Sequence, residues 1–305
     1  MGRVGVDLYP LQSDVPLAEV RTFQKSLGGS PTNVAVGAAR YGHRAAVITK
    51  VGDDGFGAYV RAALSGFAVD DRYVGTHPTL RTPLAFCELH PPDRFPILFY
   101  REPTAPDMTL TPDELDVDAI AGARILWTTG TGLAAEPSRA ATMAALEHRG
   151  RRGVTVHDLD HRPQFWPSPE EAGKLQRAAL AHATVAVGNL DEVSVAVGEG
   201  SPEELAGRLL DKGPDLAIVK LGPEGALVAW DGQIVGVKPV PVEIVCGLGA
   251  GDAFGAALCH GLLLGWDVPE TIRFANAAGA HVAARLACAD EMPTEEEVRE
   301  LLARA

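Results

Sequence analysis

Short apolar runs alternate with helical patterns along most of the chain. The runs are nearly continuous in valine, isoleucine, leucine and alanine, and they cover residues 45–52, 124–130, 153–160, 183–189 and 215–222. Such runs are typical of strands that are covered on both faces of a sheet. Their alternation with helices predicts a three-layer α/β/α fold with a mainly parallel central sheet, in which ligands bind at the carboxyl ends of the strands.

Capping signatures mark the starts of four predicted helices. Each signature joins a serine or threonine to a glutamate three residues later, and the pairs are Thr111–Glu114, Ser168–Glu171, Ser201–Glu204 and Thr294–Glu297. In such a pair, each side chain accepts a hydrogen bond from the backbone amide of the other residue. In the first three, a proline at the first helical position further favours a helix start.

Two regions depart from this alternation. Residues 3–27 and 73–102 contain strand-like segments with no helical pattern between them. Their simplest placement is a small β-sheet that projects as a lid from one domain spanning residues 1–305. An exposed sheet of this kind is expected to allow pairing into a homodimer. The first ten residues already have a strand pattern, so Met1 is expected to lie inside the first structural element.

Composition narrows the classes of partner and location. The 27 basic and 40 acidic side chains leave a formal net charge of −13, which argues against general nucleic-acid binding and favours a small-molecule partner. The four cysteines form no C-x-x-C pair, which favours reduced thiols in a cytoplasm over disulfides or a zinc site. Neither an export leader nor an apolar run of about 18 residues occurs, so no membrane span is expected.

The segment CGLGAGDAFG, residues 246–255, admits two interpretations. The first is a dinucleotide-binding fingerprint of an oxidoreductase, in which Gly247 and Gly249 form the turn and Asp267 binds a ribose. The third glycine of that fingerprint is Asp252 here, and its carboxylate would repel a pyrophosphate at close range. No G-x-x-x-x-G-K-[ST] sequence occurs, which excludes a P-loop.

The second interpretation is a helix start that binds an anion. Gly249, Ala250 and Gly251 would form the first turn of a helix running to about Gly265, and their free amides would stabilise a developing phosphate charge. Asp252 would then either accept a proton from an attacking hydroxyl or simply stabilise the helix dipole. The segment by itself leaves both roles open.

Two segments about 200 residues apart resemble the signatures of the PfkB (ribokinase-like) carbohydrate kinase family. The first is GGSPTNVAVGAARYGHRAAVITKVG, residues 28–52, and its matching positions are Gly28, Gly29, Asn33, Ala35, Gly42 and Gly52. The second is GAGDAFGAAL within the glycine-rich segment. GNLDE at 188–192 and VKLGPEG at 219–225 resemble further family motifs, in the same order. The resemblance covers the whole chain and implies a ribokinase-like kinase that uses ATP and Mg²⁺.

Other segments resemble a subgroup of this family that phosphorylates the C6 hydroxyl of 5-dehydro-2-deoxy-D-gluconate in inositol catabolism. They are residues 2–12, 95–102, 158–166, 263–267 and 292–298. A second subgroup, which phosphorylates 2-keto-3-deoxygluconate, is also similar, and another sugar acid or ketose stays open as the substrate. Outside the kinases, the alternatives are the dinucleotide-dependent oxidoreductase and a catalytically silent protein that binds a nucleotide or sugar.

The resemblance implies roles for individual residues. The catalytic base would be Asp252, and the anion hole would be formed by Gly249, Ala250 and Gly251. The sugar hydroxyls would contact Asp7, Gly28, Gly29 and Asn33. In the predicted lid, Arg101 follows Tyr100; its planar guanidinium suits a bidentate contact with a sugar-acid carboxylate, although it also fits a surface arginine. Arg162 would contact either the substrate or the phosphates of ATP.

The remaining implied roles concern the nucleotide and cations. Asn189 and Glu192 would hold Mg²⁺ largely through water, or else only cap a helix. The nucleotide would be bordered by Lys220, Gly222, Gly225, Asn276 and Gly279. Many family members have Asp or Asn where this chain has Cys246, and this departure argues against activation by K⁺. HDLDH at 157–161 lacks the H-E-x-x-H spacing on a helix, so no catalytic metal is expected there.

Overall fold

The computed structural model describes residues 1–304, which form two compact units. One unit contains Met1–Gly2 and Met108–Pro239, and we call it the middle unit. The other contains Arg3–Asp107 and the chain from Val240 onward, and we call it the outer unit. The single domain expected from the sequence stays a prediction. No helix within residues 1–304 is long and apolar enough to cross a membrane.

The first part of the outer unit contains eight strands and two α-helices. In chain order they are β1 (Gly5–Pro10), β2 (Phe23–Gly28), α1 (Ser30–Arg40), β3 (Ala45–Ala46), β4 (Thr49–Gly52), α2 (Gly55–Gly66), β5 (Val69–Asp70), β6 (Val74–His77), β7 (Leu84–Cys87) and β8 (Ile97–Tyr100). The first element begins at Gly5, four residues after Met1. The predicted strand at 45–52 is wrong as a single element, because β3 pairs with β5 and β4 pairs with β6 in two separate ladders.

Four strands of this unit form one small sheet in the order β2-β1-β7-β8. They come from the regions 3–27 and 73–102, where the sequence predicts strands without helices between them. Only β6, which also lies in 73–102, pairs elsewhere. Asp7 lies opposite Ala85 on β7, and Ala85 lies opposite Phe99 on β8, so these three residues share one face of the sheet. Tyr100 therefore lies on the opposite face.

The middle unit contains five α-helices and six strands. In chain order they are α3 (Val117–Gly122), β9 (Ile125–Thr129), α4 (Ser138–Arg149), β10 (Val154–Asp158), α5 (Pro169–Leu180), β11 (Val185–Asn189), α6 (Leu190–Val197), α7 (Pro202–Leu210), β12 (Leu216–Lys220), β13 (Ala226–Trp230) and β14 (Gln233–Val237). Two predicted caps start helices here, since Ser168 begins α5 and Ser201 begins α7. Thr111 forms its predicted box too, but it heads only a 3₁₀ turn, and Asp116 caps α3 instead.

The six strands of the middle unit form one sheet in the order β14-β13-β12-β11-β10-β9. The strands β9 to β12 are parallel and match four of the predicted runs, whereas β13 and β14 form an antiparallel hairpin that the sequence analysis missed. The carboxyl ends of the parallel strands lie side by side: Thr129 is opposite Asp158, and Asn189 is opposite Lys220. Side chains at this edge are placed to share a ligand.

The last part of the outer unit is helical, with α8 (Ala250–Leu264), α9 (Val268–Ala283) and α10 (Glu295–Arg304). Asp267 caps α9, and the predicted pair of Thr294 and Glu297 starts α10. The helix predicted from the glycine-rich segment is confirmed, because α8 begins at Ala250 and ends just before Gly265.

Helix α8 packs closely against α1. A methyl group built on Gly37 of α1 would lie 2.4 Å from the Cβ of Ala256 on α8. This distance is shorter than van der Waals contact, so the two helices approach as closely as glycine permits. Asn33 and Asp252 lie four residues before these contact positions on α1 and α8, which places each on the same face as its contact residue.

We predict that Gly37→Ala destabilises the protein by roughly 1–3 kcal/mol, because the added methyl group overpacks the α1–α8 contact. The double variant Gly37→Ala/Ala256→Gly should recover part of this loss, because it removes the opposing methyl group. The midpoint of thermal unfolding, followed by circular dichroism, measures both effects.

Gly66→Ala is the matched control. Gly66 ends α2 with open space around its α-carbon, so alanine there should leave the midpoint unchanged or raise it slightly. A Gly37→Ala protein as stable as the wild type would show that the contact between α1 and α8 has room for an added methyl group.

Candidate active site

The start of α8 has the geometry expected for anion binding. Gly249 precedes the helix with φ = +84°, a left-handed conformation that favours glycine, and a Cβ there would lie 2.2 Å from the sulfur of Cys288. No side chain caps the first turn, and Ala250 and Gly251 are partly exposed. The first turn therefore presents backbone amides and the positive end of the helix dipole.

Asp252 lies within this first turn and is held by two neutral donors. The Nδ2 atom of Asn33 donates a hydrogen bond to its Oδ2 atom at 2.7 Å, and the thiol of Cys288 lies 3.8 Å from the same oxygen. Burial, followed by the charge of Asp252, raises the pKa of Cys288 well above its usual value, so its thiol stays protonated and can donate. These contacts orient the carboxylate without neutralising its charge.

Asn33 has one further polar atom inside the protein. Its side chain is 3 % exposed, and its Oδ1 atom is buried with no hydrogen-bond partner among the described residues. A buried acceptor without a partner is costly unless a ligand supplies a donor. A substrate hydroxyl beside Asp252 would supply one.

Asp7 is held against the glycine pair that precedes α1. A Cβ on Gly28 would lie 2.1 Å from Oδ1 of Asp7, so only glycine leaves room for this carboxylate. The hydroxyl of Tyr9 donates a weak hydrogen bond to Oδ2 at 3.5 Å. Desolvation by burial raises the pKa of Asp7 to about 7, with Arg3 opposing this shift and Asp252 adding to it.

An open cavity lies beside Asp7 and Gly29 in the outer unit. Gly29 has φ = +102°, and a Cβ there would lie 2.4 Å from the carbonyl oxygen of Arg3. Arg3, Phe99 and Arg101 also line this cavity. It therefore combines two cations with the carboxylate and the glycine turn that the sequence analysis assigned to the substrate.

The two lid residues differ in their surroundings. Arg101 is mostly buried, and its Nη2 atom pairs with Oδ1 of Asp107, a side chain that is 1 % exposed. Tyr100 lies on the face opposite Asp7, is 59 % exposed, and packs edge-on against Phe86 with ring centroids 5.3 Å apart. The structure therefore brings Arg101, but not Tyr100, to the cavity.

In the middle unit, Asn189 and Glu192 form a helix cap. The amide of Asn189 donates to Oε2 of Glu192 at 2.8 Å, and the amide of Glu192 donates to Oδ1 of Asn189 at 2.9 Å. Arg162 lies beside them, with its Nη1 atom 3.7 Å from Oε1 of Glu192 and its Nη2 atom 2.9 Å from Oδ1 of Asp160. Three acidic or amide side chains and one arginine thus gather at one place.

The predicted nucleotide residues of this unit lie at the end of β12. Lys220 is the last residue of that strand, beside Asn189 of β11. Gly222 has φ = +58° with open space around its α-carbon, so its backbone is accessible. Gly225 has φ = +95°, and a Cβ there would lie 2.2 Å from the carbonyl oxygen of Val237. Gly225 therefore serves the turn into β13.

Asn276 and Gly279 lie on α9 in the outer unit. They are three residues apart and face the same side of the helix. A Cβ on Gly279 would lie 3.0 Å from the carbonyl oxygen of Ala250, so Gly279 lets α9 approach the start of α8. Gly279 therefore lies against the anion-binding turn.

His157 has a structural role. Its ring contacts the hydroxyl of Thr128 at 3.0 Å and the carboxamide of Gln176 at 2.7 Å, and burial lowers its pKa to about 4. Among residues 1–304, no group of three or more His, Cys, Asp or Glu side chains could hold a metal ion.

Sequence reasoning missed Arg3, Asp107, Asp160 and Cys288. Asp160 has φ = +28°, is 3 % exposed, and accepts a hydrogen bond from the hydroxyl of Thr131 at 2.9 Å. It lies within the HDLDH segment and within the resemblance segment 158–166, but the sequence analysis gave it no role. Arg3 lies within the resemblance segment 2–12 but was given no role, and Asp107 follows Arg101 by six residues without a motif of its own. Cys288 reaches Asp252 only through the fold.

We predict that Asp7→Asn stabilises the protein more at pH 8.5 than at pH 5. An unfolded aspartate titrates near pH 3.8 and Asp7 at about 7, so folded Asp7 holds its proton more tightly. Its stabilising effect is therefore complete at low pH and is lost as the pH rises through 7. Asparagine cannot ionise, and its benefit should grow by at least about 1 kcal/mol between the two pH values.

Thermal unfolding midpoints of both proteins at the two pH values test this prediction. Asp93→Asn is the matched control for the removal of one carboxylate, because Asp93 is an exposed residue of the same unit. An Asp7→Asn effect that is equal at pH 5 and pH 8.5 would contradict the raised pKa of Asp7.

Comparison with known proteins now identifies the group to which the chain belongs. The 5-dehydro-2-deoxygluconokinase of Clostridium beijerinckii is 34 % identical over 312 residues, covering 99 % of this chain and 91 % of that protein. A sugar kinase from Pyrococcus horikoshii in complex with ATP is 28 % identical, with a TM-score of 0.82 and 98 % of each chain covered.

A putative ribokinase II from E. coli shares the fold. It covers 100 % of this chain and 98 % of its own with a TM-score of 0.91, at 24 % identity. The ribokinase-like fold predicted from the sequence is thereby confirmed. The profile described as "pfkB family carbohydrate kinase" matches residues 1–295, which removes the dinucleotide-dependent oxidoreductase as an alternative, and the chain therefore belongs to the PfkB family of carbohydrate kinases.

Proposed function

We propose that this kinase transfers the γ-phosphoryl group of ATP to the C6 hydroxyl of 5-dehydro-2-deoxy-D-gluconate, a step of inositol catabolism. The observation that carries the proposal is Asp252, a carboxylate that Asn33 holds at the uncapped start of α8. The name of the Clostridium beijerinckii relative supports this substrate. The ATP-bound neighbour from Pyrococcus horikoshii supports ATP as the phosphoryl donor.

In the proposed reaction, Asp252 accepts the proton of the sugar hydroxyl as its oxygen attacks phosphorus. The backbone amides of Gly249, Ala250 and Gly251 stabilise the negative charge on the transferring group. They are preorganised by the helix and need no rearrangement during the reaction, which is the condition for effective electrostatic catalysis. Asn33 keeps Oδ2 of Asp252 in place, and its own Oδ1 accepts a hydrogen bond from the substrate.

The sugar lies in the cavity of the outer unit in this proposal. Asp7 and the backbone of Gly28 and Gly29 contact its hydroxyl groups. The face of the cavity that carries Arg101 receives the carboxylate end of the substrate. Tyr100 does not contact the same substrate molecule, because it lies on the other face of the sheet.

The nucleotide and Mg²⁺ residues of the proposal belong mainly to the middle unit. Lys220, Gly222 and Gly225 border the nucleotide there, and Asn276 and Gly279 of the outer unit line its adenine side.

Oxygen ligands suit Mg²⁺, and Asn189 and Glu192 provide them, although their cap hydrogen bonds favour contact through water. When bound, Mg²⁺ would neutralise charge on the phosphates. Arg162 would contact the same phosphates or the substrate.

Two further features complete the proposal. Cys246 is fully buried and packs with Tyr9, Cys87 and Leu89, so an apolar cluster replaces the carboxylate or amide that would help to order a monovalent cation. We therefore expect turnover without K⁺. All four cysteines are free thiols, which supports a reducing cytoplasm as the location.

We predict that the protein releases ADP with 5-dehydro-2-deoxygluconate at a kcat/KM well above that for 2-keto-3-deoxygluconate or fructose.

Asp252→Asn should lower kcat by at least about 10³-fold, because it removes the base and keeps the shape of the side chain. Its affinity for ATP should be unchanged. A coupled ADP-release assay with and without K⁺ and a nucleotide-binding titration measure these quantities.

Asp267→Asn is the matched control, because Asp267 starts the neighbouring helix α9 as an exposed cap that asparagine can replace. Preference for 2-keto-3-deoxygluconate would reassign the substrate within the family. ATP binding without turnover of any sugar acid would favour the silent binding protein, and a fully active Asp252→Asn variant would refute the base assignment.

We also propose that the four-stranded sheet of the outer unit pairs with a second copy of the chain. Leu98 and Tyr100 lie on its outer face and are 48 % and 59 % exposed. Leu98→Glu should convert a dimer to a monomer in size-exclusion chromatography with light scattering. Leu264→Glu, at a residue of α8 that is 51 % exposed, should leave the mass unchanged. A monomeric wild-type protein would contradict this proposal.

A further inference from the structure

A strained turn after α9 brings Cys288 to the start of α8. The turn spans residues 287–291 and includes the 3₁₀ segment Ala289–Glu291. Ala287 is fully buried and has φ = +78°, a left-handed conformation that is unfavourable for a residue with a Cβ atom. It packs in one apolar cluster with Tyr9 and Cys246, so the core holds it in this conformation. Backbone strain of this kind concentrates at functional sites, and the next residue here is Cys288.

Cys288 contacts two parts of the anion-binding turn at once. Its thiol donates a hydrogen bond to Oδ2 of Asp252 across 3.8 Å. Its Sγ and Cβ atoms would lie 2.2 Å and 2.5 Å from a Cβ built on Gly249, so its side chain fills the space beside the α-carbon of that glycine. Cys288 is 1 % exposed, and its position is therefore set by packing. A shift of this one side chain would affect both the base and the residue at which the helix begins.

Asp290 joins the same turn to β2. Its Oδ2 atom accepts a hydrogen bond from the hydroxyl of Ser26 at 2.5 Å. Ser26 is fully buried, lies opposite Asp7 and comes two residues before Gly28. Loss of the acceptor would leave a buried hydroxyl less well satisfied, so this contact resists movement of the turn. The 287–291 turn thus connects the strand beside the sugar residues with the start of α8.

We infer that Cys288 is a positioning residue for phosphoryl transfer, which fixes Asp252 and Gly249 relative to each other, and that Asp290 holds Cys288 in place through Ser26. The inference rests on the proposed function, in which Asp252 accepts the proton of the sugar hydroxyl. Cys288 transfers no proton itself, because burial, followed by the charge of Asp252, raises its pKa well above the usual value. It supports the carboxylate from the segment after α9, whereas Asn33 supports it from α1.

The main test replaces the thiol. Cys288→Ala should lower kcat by about 5- to 30-fold, because the base loses a donor and the turn loses its packing. The KM for the sugar and the affinity for ATP should change less than about twofold, because the groups that bind them remain. The acidic limb of the pH profile of kcat should move to higher pH, since loss of a donor favours the protonated carboxylate. Cys288→Ser keeps a donor and should recover part of both effects. A coupled ADP-release assay and a nucleotide-binding titration measure these quantities.

Cys259→Ala is the matched control. Cys259 is also buried and lies on α8, two turns beyond Asp252, so this variant removes the same atom from the same helix without touching the base. It should lower the unfolding midpoint, as Cys288→Ala does, because both changes leave a small cavity. Its kcat and the pH profile of its kcat should match those of the wild type. Circular dichroism confirms that each variant is folded.

Variants of Asp290 test the second part of the inference. Asp290→Ala should lower kcat by about 2- to 10-fold with little change in KM, and Asp290→Asn should recover most of the loss, because it keeps an oxygen that accepts from Ser26. In the double variant Cys288→Ala/Asp290→Ala, kcat should be no lower than in Cys288→Ala alone. This non-additivity follows if Asp290 acts through Cys288.

The outcomes separate the inference from the proposed function. A kcat and a pH profile in Cys288→Ala that equal those of Cys259→Ala would overturn the inference, as would multiplicative losses in the double variant. Turnover of a neutral sugar alone would refute the proposed substrate, and the same kcat comparison with that sugar would then decide the role of Cys288. A wild-type protein without kinase activity would refute both. If Cys288→Ala does not fold, an Asp290→Ala variant with the kcat of the wild type overturns the inference.

Discussion

The close contact between α1 and α8 determines where the reactive groups of the outer unit lie. Gly37 and Ala256 let the two helix backbones approach until a single added methyl group would clash. One turn earlier on each helix, this spacing brings Asn33 within 2.7 Å of Asp252. Both helices begin directly after a glycine with positive φ, Gly29 for α1 and Gly249 for α8. The two glycine-rich signatures are therefore two helix starts that packing holds together.

The second constraint is electrostatic. Asp7 and Asp252 act on each other as like charges, and the pKa of Asp7 rises in response to burial and to Asp252. Two neutral groups contact Asp252, the amide of Asn33 and the thiol of Cys288. A cation in contact with Asp252 would stabilise its ionised form and weaken it as a base, whereas neutral donors orient it at less cost in basicity. The positive charge of Arg3 instead opposes the shift at Asp7.

The sequence predicts those features that local chemistry determines. The four parallel strands of the middle unit and the start of α8 follow from apolar runs and from glycines beside a helical pattern. The hairpin of β13 and β14 was missed, although its Asp231-Gly232 turn, with both φ values positive, is a recognised signal. The split of residues 45–52 was not predictable from the run itself, since it depends on two separate partner strands.

The site residues show the same distinction between features set by local sequence and features set by long-range contacts. Asp252 carries a motif, whereas Arg3 and Asp107 become neighbours only because the chain returns after about a hundred residues. Tyr100 and Arg101 are adjacent in sequence, but alternation along a strand separates their faces, so only one of them reaches the cavity. The pairing register of β8 with β7 determines which of the two residues faces the cavity, and no local sequence pattern specifies that register.

The helix cap formed by Asn189 and Glu192 is compatible with the Mg²⁺ role that we propose for this pair. The cap uses Oδ1 of Asn189 and Oε2 of Glu192, and these hydrogen bonds fix both side chains at the carboxyl edge of the parallel strands. The other oxygen of Glu192 lies 3.7 Å from Nη1 of Arg162, and the same guanidinium pairs with Asp160. Because the cap already orders these side chains, binding a hydrated cation would cost little further side-chain conformational entropy. The cap is therefore a reason to expect a water-mediated Mg²⁺ contact here.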